Sequence, residues 1–224
     1  KGNGPLFVLN GSPYWEGKIE TTKRLVSDIC KRIDRPVCWV NQVGAHDDII
    51  TGGYSMIAIP AHLTPTTKGS HIRMGKAFVS DRLVVRLEDD ETNHNSIFPE
   101  GVQQESGNDR PIFFGKVIDS QDFETWCNYS ACVLFIRDYM QRCGFKKAVL
   151  GVSGGIDSAL VATLAADAIG GENVLAISMP SFFSSEGSKT DAKLLAQKLG
   201  LDYGEVPIGD LHDLVRSKFL SGGR

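Results

Sequence analysis

The segment Ser153-Gly154-Gly155-Ile156-Asp157-Ser158 concentrates two hydroxyls, two adjacent glycines and a carboxylate in one short stretch. The apolar run Ala148-Val149-Leu150-Gly151-Val152 leads into it and a helical pattern over 159–169 leads out, so it is expected to join a strand's carboxyl end to a helix start. Ligands of α/β sheets bind at such ends. Gly154 and Gly155 let the backbone approach an anion closely and adopt conformations closed to other residues. Their amides, with the positive end of the helix beginning near Ser158, would cradle phosphate. The hydroxyls of Ser153 and Ser158 can donate further hydrogen bonds. Asp157 repels phosphate directly; its carboxylate belongs there if a Mg²⁺ ion bridges the two. No Gly-Lys-Ser/Thr follows, so this is not a Walker A loop, and the spacing is not Gly-x-Gly-x-x-Gly either. The plainer alternative is an ordinary glycine-containing turn into a helix capped by Asp157.

The elements that must position this loop alternate strand with helix. A helix over 123–143 ends at Gly144. Strand 148–152, helix 159–169, a strand over 174–179, a serine-rich loop, a helix over 191–199 stopped by Gly200, and a strand over 203–208 follow. This β-α-β-α-β order predicts a parallel sheet with right-handed crossovers. A separate set of elements opens the chain. Leu6-Phe7-Val8-Leu9 runs into the turn-forming Asn10-Gly11-Ser12-Pro13. A helix over 18–33 then carries Ile19, Leu25, Val26, Ile29 and Ile33 at helical spacing, and Pro36 stops it. Strands are expected over 37–43, 54–59 and 76–87, with Gly52-Gly53 turning the chain before the second and Leu83-Val84-Val85-Arg86-Leu87 alternating in the third. From about residue 88 the composition becomes polar and turn-rich, beginning with Glu88-Asp89-Asp90-Glu91. That stretch reads as a surface-wrapping linker pinned by Phe98, Phe113 and Phe114. The expected division is 1–89, a linker over 90–121, and 122–224.

With 224 residues, 42% hydrophobic and 23% charged, the chain can bury one large core or two modest ones, as soluble globular proteins do. A net charge of −3 without a basic tail argues against nucleic acid or an anionic membrane as partner. No apolar stretch approaches the roughly 20 residues of a membrane span. Cys30, Cys38, Cys127, Cys132 and Cys143 include no Cys-x-x-Cys pair, so free thiols in a reducing cytoplasm are expected, not disulfides or zinc. His46, His62, His71, His94 and His212 lack metal-ligand spacing, and Asp47-Asp48 reads as a solvated turn. Trp15, Trp39 and Trp126 read as packing residues.

Ser-Gly-Gly-Ile-Asp-Ser resembles the pyrophosphate loop of the N-type ATP pyrophosphatases, which include NAD, GMP and asparagine synthetases. Further matches narrow the resemblance. Met179-Pro180-Ser181, Ser184-Ser185-Glu186-Gly187-Ser188 and Asp191-Ala192 are similar to the NAD synthetase segment after its second strand, and Arg137-Asp138-Tyr139 with Gly144-Phe145 to the helix before the loop. Asn10-Gly11-Ser12-Pro13-Tyr14, Gly17-Lys18 and Val40-Asn41-Gln42-Val43-Gly44, with Asp47 and Gly53, resemble the second half of the nitrilase-type glutaminase domain of glutamine-dependent NAD synthetases. Most of the chain takes part, the linker least.

The resemblance implies an α/β chain: a partial nitrilase-like αββα unit followed by a doubly wound, parallel-sheet ATP-pyrophosphatase domain of adenine nucleotide α-hydrolase type. It implies ATP and Mg²⁺, deamido-NAD as substrate and NAD as product, and homo-oligomers. Gly151, Val152, Ser153, Gly154, Gly155, Ile156, Asp157 and Ser158 would hold ATP, with Ser185 and with Met179 against the adenine. Asp157 would carry the metal, and Asp157, Ser153 and Ser158 would stabilise the leaving pyrophosphate electrostatically. Ser12 and Lys18 would bind glutamine, although a helix lysine is as readily a solvated charge. The glutaminase chemistry needs a Glu, a Lys and a Cys nucleophile upstream of Asn10, and residues 1–9 contain neither Cys nor Glu. The chain is therefore expected to be a piece of a longer polypeptide that does not hydrolyse glutamine as it stands. Alternatives are another ATP pyrophosphatase, GMP-forming or tRNA-modifying (the mild acidity argues against the latter), or a catalytically incomplete binding fragment.

Overall fold

The computed structural model describes residues 4–63, 71–85, 112–113, 116–117 and 122–221. The chain divides into two compact units, Lys1–Ala131 and Cys132–Arg224.

In the first unit, β1 (Leu6–Asn10) leads through α1 (Lys18–Ile33) to β2 (Val37–Asn41), which pairs with β1 in parallel, Leu6 opposite Val37 and Asn10 opposite Asn41. α1 buries Ile19, Thr22, Val26 and Cys30, a stripe at helical spacing facing the core. It ends with Asp34 in the left-handed conformation, two residues before Pro36. The strand expected over 37–43 breaks at Gln42. Val43 instead opens β3 (Val43–His46), which forms a hairpin with β4 (Ile49–Gly52) around Asp47-Asp48. Asp47 there takes φ 51°. β5 (Met56–Ile59) and β6 (His71–Met74) complete a sheet of order β1-β2-β5-β6 by antiparallel pairing.

Two expectations fail here for identifiable reasons. The strand over 54–59 starts at Met56 because Tyr54 sits at φ 45°. The strand over 76–87 is absent among the described residues, where 76–85 makes only an isolated bridge from Ala77 to Gly53. Phe78 takes φ 60°, and the Asp81 carboxylate accepts the backbone N–H groups of Lys76 and Arg82, both at 2.8 Å. A side chain thus takes donors that a ladder would have used. Within 90–121 the described residues form one small hairpin, β7 (Ile112–Phe113) with β8 (Lys116–Val117). Phe98 and Phe114 lie outside the described residues, as do Arg86 and Leu87.

α2 (Phe123–Cys143) crosses from the first unit into the second and ends at Gly144, φ 72°. β9 (Ala148–Val152), α3 (Ile156–Ile169), β10 (Val174–Ser178), α4 (Glu186–Leu199) and β11 (Asp202–Glu205) then alternate. They build the expected parallel sheet, order β11-β10-β9, with Val174 opposite Ala148 and Leu175 opposite Asp202. Its core joins Val152, Val174 and Ala176 of the strands to Ala162, Ala165, Ala192 and Ala196 of the helices. Small side chains let both helices lie close to the sheet. α3 starts at Ile156, earlier than 159, and α4 at Glu186, earlier than 191, because Ser185 caps α4 by accepting the Ser188 N–H. α5 (Gly209–Ser221) closes the described chain and was not foreseen. Among the described residues no helix is long and apolar enough to cross a membrane.

Val174 is 1% exposed at the centre of the second core. Val174→Ala should lower unfolding stability by about 1–3 kcal/mol, through lost transfer energy and a small cavity, read from the midpoint of chemical denaturation.

Candidate functional site

At the carboxyl end of β9 the chain turns through Ser153 and Gly154 into α3. Gly154 has φ 74°, open to glycine and strained for other residues. A Cβ on Gly154 would lie 2.4 Å from the Ser188 carbonyl oxygen and 2.8 Å from its Cα. Only the missing side chain lets the first turn of α4 press against the loop. The first turn of α4 therefore lies against the loop that opens α3, and the start of α3 presents its positive end at the carboxyl end of β9.

The loop's hydroxyls organise it from within. Ser158 Oγ donates to the Gly155 carbonyl at 3.0 Å and accepts the Ser153 N–H at 3.2 Å. Ser153 Oγ lies 3.2 Å from Ser158 Oγ and accepts the Gly155 N–H at 3.3 Å. Gly155, the N-cap of α3, has no side chain to cap it, so the amides of Ile156, Asp157 and Ser158 open the helix without one and can serve a ligand. Asp157 sits exposed in this first turn. Among the described residues no three His, Cys, Asp or Glu side chains could hold a metal together. One carboxylate nevertheless fits Mg²⁺, which takes its other ligands from phosphate oxygens and water.

Around this loop, Met179 follows β10 and its methyl lies over Gly151, 3.1 Å from where a Cβ would stand. Val152 is buried beneath the loop at 4% exposure. Ser185 Oγ accepts the Ser188 N–H at 3.1 Å and pairs with Ser188 Oγ at 2.9 Å; its observed work is capping. The residues from Gly151 to Ser158 with Met179 and Ser185 thus gather at the carboxyl ends of β9 and β10.

The second candidate pair lies in the first unit. Lys18, the first residue of α1, folds back so that Nζ donates to Ser12 Oγ and to the Pro13 carbonyl at 2.9 Å. Its ammonium lies 5.8 Å from the centre of the Trp15 ring. Burial pulls the Lys18 pKa below the ordinary lysine value. A cation at a helix N-terminus opposes the helix dipole; the bonds to Ser12 and Pro13 and the Trp15 ring hold it there. Ser12 is anchored by Asn41, whose Oδ1 accepts the Ser12 N–H at 3.1 Å. Two further side chains touch this segment: Glu124 Oε2 accepts the Gly17 N–H at 3.0 Å, and Asn128 Oδ1 accepts the Tyr14 hydroxyl at 2.8 Å. Sequence reasoning missed both. They stand 107 and 114 residues from their partners, and no local pattern carries such information.

The five cysteines are all free. Burial raises the Cys30 and Cys38 thiols and, helped by the Glu124 charge, pushes Cys127 up to about 12, so none of these three is an activated nucleophile.

Residues 128–222 match the family model described as NAD synthase. The chain is 36% identical over 203 residues to the glutamine-dependent NAD(+) synthetase of Synechocystis, spanning 91% of this chain and 32% of that protein. It is 48% identical over 85 residues to the NH(3)-dependent NAD(+) synthetase of Fusobacterium nucleatum, spanning 38% of this chain and 33% of that one. The solved glutamine-dependent NAD+ synthetase of Acinetobacter baumannii, in complex with adenosine diphosphate, superposes with a TM-score of 0.67 at 27% identity, covering 99% of this chain and 37% of that one. The chain thus spans about a third of the length of these relatives.

Gly154→Ala should abolish the thermal stabilisation that Mg-ATP confers, because the new Cβ forces the start of α4 off the loop. Gly144→Ala also introduces a side chain at positive φ, but meets nothing within 4 Å and should keep the ligand-induced shift. Equal shifts in both variants would contradict the role of the close contact.

Proposed function

We propose that the chain, similar to NAD synthetases over most of its length, carries the nucleotide-activating core, and part of the glutaminase unit, of an enzyme that amidates deamido-NAD to NAD with glutamine as nitrogen donor. The observation that carries the proposal is the loop Ser153–Ser158 at the carboxyl end of β9, where Gly154 at φ 74° touches the backbone of Ser188 and α3 begins without a side-chain cap.

In this reading ATP lies with its triphosphate on the loop and its base against Met179. The nicotinate carboxylate of deamido-NAD attacks the α-phosphate, giving an adenylate and releasing pyrophosphate; ammonia then adds to the activated carbonyl carbon and AMP leaves. The chain's own contribution is electrostatic and positional. The amides of Ile156, Asp157 and Ser158 and the hydroxyls of Ser153 and Ser158 would hold the oxygens on which charge grows as pyrophosphate departs. Asp157 would hold Mg²⁺, which would supply positive charge to offset part of that build-up. Ser12 and Lys18 would meet the glutamine substrate, the Lys18 ammonium being suited to its α-carboxylate. Homo-oligomeric assembly in the cytoplasm is part of the proposal, drawn from the resemblance and from the five free thiols.

Two experiments on the full-length protein test this. Asp157→Ala should reduce ATP-dependent pyrophosphate release on the order of a hundredfold while glutamine hydrolysis persists; normal pyrophosphate release would refute the assignment. Glutamine binding should depend on pH through Lys18. The cation attracts carboxylate, and its proton is lost as pH rises through a pKa lying below the 10.5 of an ordinary lysine. The KM for glutamine should therefore climb before pH 10.5, and Lys18→Arg should flatten that climb because arginine stays protonated.

A further inference from the structure

We propose that Glu124 and Asn128, on the first turns of α2, are positioning residues for the Ser12–Lys18 pair, an inference that rests on the reading of that pair as the glutamine carboxylate site. The segment between the two residues has neither helix nor strand of its own, so its shape is set by what holds it. Its early part is tied to the first unit's own strands. Ser12 N–H reaches Asn41 Oδ1, Pro13 bridges Thr51, and Tyr14 N–H donates to the Ile50 carbonyl at 2.6 Å. Its later part is tied to α2. Glu124 takes the N–H of Gly17, and Asn128 takes the hydroxyl of Tyr14.

Gly17 decides where Lys18 goes. It sits at φ 79° as the N-cap of α1, with no side-chain cap of its own. The Gly17 peptide orientation fixes the direction in which the Lys18 side chain leaves the backbone, and a carboxylate beside a helix N-terminus is favourably placed to hold it. Packing around Tyr14 supports the same hold. The Phe78 ring meets Tyr14 edge-on at 5.0 Å and Trp126 of α2 at 6.1 Å, and Trp126 stacks on Phe123 at 5.9 Å. Phe78 and Tyr54, 3% and 1% exposed, both take positive φ, a conformation that bulky residues keep only where the surroundings impose it. Strain of this kind collects at ligand clamps, and here it builds the socket that receives α2. Burial raises the Tyr14 phenol well above its ordinary value, so it remains a neutral donor to Asn128 across the working pH range.

The test measures glutamine-dependent and ammonia-dependent NAD formation separately in the full-length protein. Glu124→Ala with Asn128→Leu should raise the KM for glutamine about tenfold, the effect of losing roughly two net hydrogen bonds of indirect support, with kcat within about twofold of the parent. Ammonia-dependent synthesis, which bypasses the glutamine pocket, should be unchanged. Glu124→Gln and Asn128→Asp each keep an acceptor oxygen and should restore most of the affinity. An unchanged glutamine KM, or a parallel fall of glutamine- and ammonia-dependent rates, overturns the proposal. Ser12→Ala and Lys18→Ala serve as the reference. If these raise the glutamine KM and the α2 variants do not, positioning alone fails; if these too leave it unchanged, the glutamine reading fails and the positioning with it.

Discussion

The contact between Gly154 and the backbone of Ser188 is the constraint on which the second unit's chemistry depends. A Cβ there would stand 2.4 Å from a carbonyl oxygen, a distance no side chain tolerates, so the loop and the start of α4 can touch only because the residue is glycine. That contact sets the rest. It brings the start of α4, capped by Ser185, beside the start of α3. The alanine-rich core serves the same end. Ala162 and Ala165 on α3 and Ala192 and Ala196 on α4 bring both helices close to the strands, and so bring their starts close to the strand ends where Gly151 and Met179 lie.

The first unit solves a different problem by different means. Its candidate ligand groups are side chains, and side chains must be aimed. Lys18 is aimed by the turn at Gly17 and by bonds to Ser12 and Pro13; Ser12 is aimed by a buried asparagine. Tyr54 and Phe78 accept unfavourable backbone angles to shape the neighbouring socket, and the Asp81 carboxylate takes two amides that a longer strand would have paired. Of these departures, Phe78 meets the Ser12–Lys18 segment directly, its ring 5.0 Å from that of Tyr14. Each departure works against the sheet it interrupts and holds only because the surroundings impose it.

The two sites also differ in how much of them the sequence discloses. The candidate phosphate loop is local: apolar strand, two glycines, hydroxyls and a helix start follow one another within a dozen residues. Its strand–loop–helix context, the parallel sheet and α1 over Lys18–Ile33 were all legible from periodicity and punctuation. Helix starts were read too late at 159 and 191, because a loop rich in Gly and Ser looks like coil when its serine is in fact a cap. The run Leu83-Val84-Val85 alternates like a strand, yet Asp81 and Phe78 divert the backbone just before it. The hairpin β3–β4 was hidden because a two-residue Asp-Asp turn carries no glycine, Asp47 itself adopting the left-handed angle. Glu124 and Asn128 could not be read at all, since their meaning lies in atoms more than a hundred residues distant.

If the first turns of α2 hold the glutamine loop, the hold acts in both directions. Linkage requires that whatever free energy Glu124 and Asn128 contribute to ordering Ser12–Lys18, an occupant that orders the same loop returns to the bond between loop and helix. Occupancy of the glutamine pocket would then tighten the Gly17–Glu124 and Tyr14–Asn128 contacts and steady the N-terminal turns of α2. α2 is one uninterrupted helix of 21 residues whose later part opens the second unit. A helix whose start is steadied frays less along its length, because each turn supplies the hydrogen-bond partners of the next.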